Sequence, residues 1–148
     1  MRQPIQFHYL SSPFSFANRT ALKRFLVRMI RLEGFSIAAI NYIFCTDAYL
    51  LKINREFLDH NTYTDIITFK LSESREPLLS EIYISTERVR ENSKNLSLPF
   101  KEELHRVIFH GALHLCGYND KKEKESTQMR KKENEWLKKY LFHEKRFR

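Results

Sequence analysis

Cysteine is scarce in this chain of 148 residues, occurring only as Cys45 and Cys116. One falls in a strand-like segment and the other in a helix-like one, which excludes both a disulfide framework and a four-cysteine zinc site. The expected compartment is a reducing cytosol. Long apolar runs are lacking as well: charge interrupts each of them within a few residues, and the opening MRQPIQFHYL alternates instead of forming the apolar block of a targeting segment. Neither targeting to nor spanning of a membrane is expected. No repeat period, low-complexity tract or linker divides the chain, and a hydrophobic content of 42% with 14% aromatics is enough for one sizeable core. The expectation is a single domain over residues 1–148.

Negative charge is in short supply. Lys and Arg number 26 against 18 Asp and Glu, a formal net charge of +8. Residues 121–148 hold eleven of the cations and five of the acids, so most of the excess lies in the last fifth of the chain. Such a surplus favours an acidic partner such as RNA over a neutral metabolite. On this reading Lys131, Lys132, Lys138 and Lys139 are the candidate phosphate contacts; the alternative is an ordinary solvated helix face.

The pattern of apolar residues predicts interleaved strands and helices. Ile5, Phe7 and Tyr9 alternate as a strand does, and Asn18 opens a helix with Leu22, Phe25, Leu26, Met29 and Ile30 on one side. Gly34 fits the position just past its end. A second strand is expected over 40–45, followed by a helix capped by Thr46 or Asp47 that carries Leu50, Leu51, Asn54 and Phe57 inward. DIITFKL and EIYIS read as two strands joined by a polar loop, hence a possible hairpin. A short helix from Thr86, a longer one from Pro99 to Gly117, and a last one with Met129, Trp136, Leu137 and Tyr140 complete the order. The class is α/β or α+β: a small mixed sheet of about four strands flanked by about five helices.

Within the long helix, Leu104, Val107, Ile108, Ala112 and Leu115 form the apolar stripe, and the segment HGALHLCGYND follows its second half. His110 and His114 are four apart, which separates them by about 40° around the axis and ~6 Å along it. One metal ion can bridge such a pair. Gly111 is expected to leave open space beside the first imidazole. Gly117 ends the helix, and the returning chain offers Asp120 as a third ligand, with Glu123 the next carboxylate. A zinc protease would need a glutamate directly after the first histidine, where this chain has Gly111.

HGALHLCGYND resembles the HGxLHLxGYDH motif of the YbeY-type metal-dependent endoribonucleases, proteins of ribosomal RNA maturation. INREFLDHNTYTDIITF is similar to that family's LNxxYRxxDxPTDVLSF segment, and LSEIYIS to its GDIxIS strand. The resemblance spans most of the chain from the second helix onward. It implies a zinc-like ion held by His110, His114 and Asp120, with Asp120 standing where the family has a third histidine. The arginine of the family's YR pair falls on Leu58, so a function assigned to that arginine has no direct equivalent; His60 and Arg55 lie near enough in sequence to substitute. Asn54, Thr64 and Asp65 match family positions and suit turn and capping roles.

Three protein ligands leave one coordination position open, as in catalytic sites. Phosphate charge then needs a cationic donor, and Arg106, one turn before His110, is the first candidate. The expected activity is a metal-dependent, single-strand-specific endoribonuclease acting on ribosomal RNA precursors, with a ribosomal subunit among its partners. Two other readings are a non-catalytic RNA- or ribosome-binding factor with a structural metal, and a metal hydrolase of another substrate.

Overall fold

The alternating segments form one mixed sheet. In the computed structural model, which describes residues 3–10 and 17–146 (side chains as far as 142), β1 (Ile5–Tyr9), β2 (Ile37–Cys45) and β4 (Leu78–Ser85) run parallel. β3 (Ile66–Lys70) pairs antiparallel with β4, giving the order β1-β2-β4-β3. Among the described residues five helices surround the sheet: α1 (Arg19–Leu32), α2 (Asp47–Leu58), α3 (Thr86–Asn95), α4 (Phe100–Leu115) and α5 (Glu123–Arg146). The result is a single α+β domain of the expected class. Its basic C-terminal end lies partly outside the described residues. No helix among the described residues is long and apolar enough to cross a membrane.

Local chemistry explains the boundaries. Thr46 caps α2 by accepting from the Tyr49 amide at 3.1 Å, and Ser85 caps α3 through Arg88 in the same way. Asn18 does precede α1, but in a left-handed conformation (φ 63°) with no side-chain bond to the first turn. β2 starts at Ile37, three residues earlier than expected, because Ile37 and Ala39 find partners in Leu78 and Leu79. Phe57 was expected to turn inward and is 67% exposed instead. It sits in the last turn of α2, where its ring meets the edge strand, edge-on against Phe69 of β3 at 6.1 Å, and leaves its outer side to solvent.

Strand alternation divides the interior into two cores. Ile40, Tyr42 and Phe44 of β2, with Ile82 and Ile84 of β4, pack toward α1, α4 and α5. Ile67, Phe69 and Tyr83 pack on the other side with Leu50 and Ile53 of α2. The first core is the larger and holds Trp136 and Tyr140 of α5, both fully buried. Cys45 and Cys116 are buried free thiols. Burial, which disfavours the thiolate, raises each to about 12.

Two contacts fix the position of α4 over the sheet. The buried Tyr42 hydroxyl donates to the Ile108 carbonyl at 2.8 Å. One turn on, a Cβ at Gly111 would meet Ile66 Cδ1 at 3.0 Å and Ile82 at 3.2 Å. This corrects the expectation of open space at Gly111: a residue one step along a helix turns about 100°, so Gly111 faces the sheet while His110 faces the cleft. Glycine here permits close helix–sheet approach. Gly111→Ala is therefore expected to lower stability by about 1 kcal/mol, the overpacking cost exceeding alanine's gain in helix propensity. Urea denaturation measures this. Unchanged stability would mean that the two isoleucine side chains swing aside freely.

Candidate active site

A cleft of about 630 Å³ opens at the β3 edge of the sheet, between that strand, α4, α5 and the loop after α2. Its walls bring together His110, His114, Asp120 and Arg106 from the sequence reading, together with His60, Asp65, Lys121, Arg130 and Glu133. The helix periodicity of α4 places His110 and Arg106 on the cleft side of a helix whose other faces are buried. Asn54 closes the loop beneath by donating to the Thr62 carbonyl at 2.8 Å, and Thr64 bonds the Ile66 carbonyl. Both are the turn roles expected of them.

Each imidazole is oriented through its Nδ1. His110 Nδ1 lies 2.6 Å from Glu133 Oε2, and His114 Nδ1 lies 3.1 Å from the Tyr118 carbonyl. An oxygen acceptor at Nδ1 requires the proton there, which leaves Nε2 with its lone pair in a neutral ring. The Tyr118 carbonyl reaches His114 because Gly117, at φ 96°, lets the Tyr118 amide bond back to the Leu113 carbonyl at 3.1 Å. The helix terminator thus also orients a side chain of the site.

His110 Nε2 faces Asp120 Oδ2 at 3.3 Å. With Nδ1–H committed to Glu133, these are two acceptors face to face, and a positive charge must lie between them, as a second proton or a cation. Ligands at 2.0 to 2.2 Å around a tetrahedral zinc stand roughly 3.4 Å apart, so this pair fits such an ion. Two nitrogens and a carboxylate are also a suitable donor set. Among the described residues no group of three or more His, Cys, Asp or Glu side chains is already gathered around a common ion position. Asp120 is half-exposed on the loop after Gly117, while His114 is exposed on α4.

The electrostatics around His110 are strongly acidic. Burial alone disfavours its charged form, but the Glu133 hydrogen bond and the charges of Glu133, Asp120 and Asp65 outweigh that and hold its pKa above the ordinary value. Burial raises the Asp65 carboxyl, with His110 opposing, and raises Glu103, with Arg106 opposing. Arg106 is largely enclosed: it lies 3.3 Å from Glu103, 4.0 Å from Glu133 and donates to Asn134 at 3.0 Å. Arg130 is the more open guanidinium, 57% exposed and 3.8 Å from Glu133. Of the two proposed substitutes for the missing family arginine, His60 lines the cleft, whereas Arg55 bonds Asn61. The four lysines of α5 expected to contact phosphate separate: Lys132 pairs with Glu33 at 3.1 Å, Lys139 contributes to the field at Glu33, and Lys131 and Lys138 border a shallow exposed hollow beside Arg130.

Sequence reasoning missed Glu133 and Arg130 as parts of the site. The available signal was the helical spacing of Met129, Trp136 and Tyr140, seven and then four residues apart, which buries one face of α5 and sets Glu133 on it.

The architecture and the cleft define a class, a single-domain α+β protein with an imidazole–carboxylate centre at one sheet edge. The chain belongs to the Endoribonuclease YbeY family, whose profile it matches over residues 12–141. It is 47% identical over 141 residues to the Endoribonuclease YbeY of Flavobacterium psychrophilum, covering 95% of this chain and 98% of that one. It is 44% identical to that of Porphyromonas gingivalis over 80% of this chain and 78% of the relative. The solution structure of TM1509 from Thermotoga maritima superposes with a TM-score of 0.67 at 26% identity, over 94% of this chain and 91% of that one.

The dependence of His110 on Glu133 can be tested directly. In Glu133→Gln the charge and the charge-assisted bond are lost and burial remains, so the His110 ring should titrate at a lower pH than in the parent. An NMR titration of the metal-free proteins reads it. A value that stays put would assign the upward shift to Asp120 and Asp65 instead.

Proposed function

We propose that the cleft is the RNA-cleaving centre of a cytoplasmic endoribonuclease that acts on single-stranded ribosomal RNA precursors, working with one zinc-type ion held by His110, His114 and Asp120. The observation that carries the reading is the 3.3 Å approach of His110 Nε2 to Asp120 Oδ2, with Nδ1 already committed to Glu133. When bound, such an ion supplies an activated water and polarises a phosphoryl oxygen. The chain's own residues do the rest. Glu133 holds the proton of His110 at Nδ1 and fixes the ring plane, and the Tyr118 carbonyl does so for His114.

Arg106, the first candidate for binding phosphate, serves in this reading as the residue that positions Glu133 and Glu103, since its guanidinium already faces both. Arg130 then meets the phosphate from the open side, taking over from the arginine that the family motif places at Leu58. Asp65, with its carboxyl held above the usual range, is suited to carry a proton within the cleft. Lys131 and Lys138 extend the cationic rim toward the RNA backbone, and a ribosomal subunit is the corresponding large partner.

Removal of one ligand should cost both metal and turnover. His110→Ala and His114→Ala are each expected to lose zinc and cleavage of single-stranded RNA together, since two ligands hold a catalytic zinc far more weakly than three. Zinc retained at full occupancy with cleavage lost would place the ion elsewhere. Asp120→Ala should behave likewise, whereas Asp120→His should keep the metal and move the pH–rate profile to lower pH, because a neutral ligand leaves more positive charge at the centre. Zinc titration of the parent and both Asp120 variants decides the point. Equal affinities would remove Asp120 from the ligand set.

A further inference from the structure

The most one-sided helix in the chain is α1. Between Arg19 and Leu32 it carries Arg19, Lys23, Arg24, Arg28 and Arg31 and not one carboxylate. Helix α5 is longer, yet its cations are interspersed with glutamates that several of them reach, as Lys132 does Glu135 and Arg130 does Glu133. In α1, Arg19 and Lys23 lie over the rings of Tyr9 and Phe7. Arg24, Arg28 and Arg31 are exposed, and none has a hydrogen-bond or ion-pair partner among the described residues.

Those three fall in one stripe. Spacings of four and three keep them within about 60° around the helix and spread them over roughly 10 Å along it. Like charges at that spacing repel, so the stripe is locally unfavourable. It also borders a concavity of about 1010 Å³ between α1 and the β1–β2 side of the sheet. Val27 and Ile37 help to line it, while Asn41, whose Oδ1 is bonded to His8 at 2.8 Å, belongs by strand alternation to the other face of the sheet. A row of unneutralised guanidiniums along an open groove is complementary to a phosphate backbone.

We infer that this groove is a second RNA-binding surface, which grips a strand of the substrate away from the cleft. The inference rests on the RNA reading above but not on the metal. The strand order puts the two sites toward opposite edges, the cleft at β3 and the groove at β1 and β2, two to three strand spacings or about 10 to 14 Å across the sheet. A long precursor reaches both; a dinucleotide held in the cleft does not.

The test uses the full chain with all three positions changed together, Arg24→Gln, Arg28→Gln and Arg31→Gln, and a companion with lysine at each. Exposed helix positions tolerate both sets, and circular dichroism checks the fold. For a long single-stranded RNA, the glutamine variant should bind at least about tenfold more weakly near physiological salt, and its log–log salt slope should be shallower by about 2. The lysine variant should keep most of the slope. Cleavage of a dinucleotide should be unchanged in both. A salt slope equal to the parent's in the glutamine variant overturns the proposal and makes the stripe a solvated face. A parent protein with no measurable RNA affinity overturns the RNA reading itself.

Discussion

The Tyr42 hydroxyl, buried at the centre of the sheet, donates to a carbonyl halfway along α4, and a turn later Gly111 touches Ile66 and Ile82 where any side chain would hold the helix off. These contacts set the height and rotation of α4. Everything chemical in the cleft follows from that placement, since His110, His114 and Arg106 are fixed to this helix and β3, which forms the opposite wall, is the strand that Ile66 belongs to. The apolar core does more than stabilise the domain. It aligns the imidazoles against a strand edge with little backbone freedom left.

Charge is arranged in two zones. Inside the cleft, Asp65, Glu103, Asp120 and Glu133 outnumber the cations that reach them, an environment that attracts a small positive ion and by itself repels RNA. The cations lie around it, with Arg130 and Lys121 at the rim, Lys131 and Lys138 on the exposed hollow beside Arg130, and the arginines of α1 farther off. A polyanion can therefore approach the acidic centre only when the rim holds it and the centre is compensated. A protein with a large positive excess thus keeps its carboxylates together in one cleft and its cations around it.

Much of this was legible in the sequence. Period-two and helical patterns located every strand and helix, and the caps at Thr46 and the glycines at 34 and 117 lie where chain chemistry requires them. His110, His114 and Asp120 could be grouped because a helix end and a reversing loop are local features. Glu133 and Arg130 were not, since they meet His110 only after α5 has crossed back over α4; the helical spacing of Met129 and Trp136 puts Glu133 on the inner face of α5 but does not say which helix that face meets. Gly111 was misread for a related reason: its neighbour in sequence faces the cleft, but its own direction is toward a sheet formed by residues far away. The basic α1 escaped notice because charge was summed along the C-terminal segment, while its five cations stand among strongly apolar residues.

The two imidazoles differ in how exposed they are to mutational loss. His114 is aimed by a main-chain oxygen, which every amino acid at position 118 would supply as long as Gly117 keeps its left-handed turn. His110 is aimed by a carboxylate 23 residues distant, so a single nucleotide change in the codon for Glu133 can release it. One arm of the site is therefore tied to backbone shape and drifts only if the turn is lost, while the other depends on a long-range pairing of side chains that must change in concert. Among descendants of this sequence, change at residue 133 should be matched at residue 110, whereas residue 118 is held by its own side chain, whose hydroxyl donates to Glu33 at 2.7 Å, and not by His114.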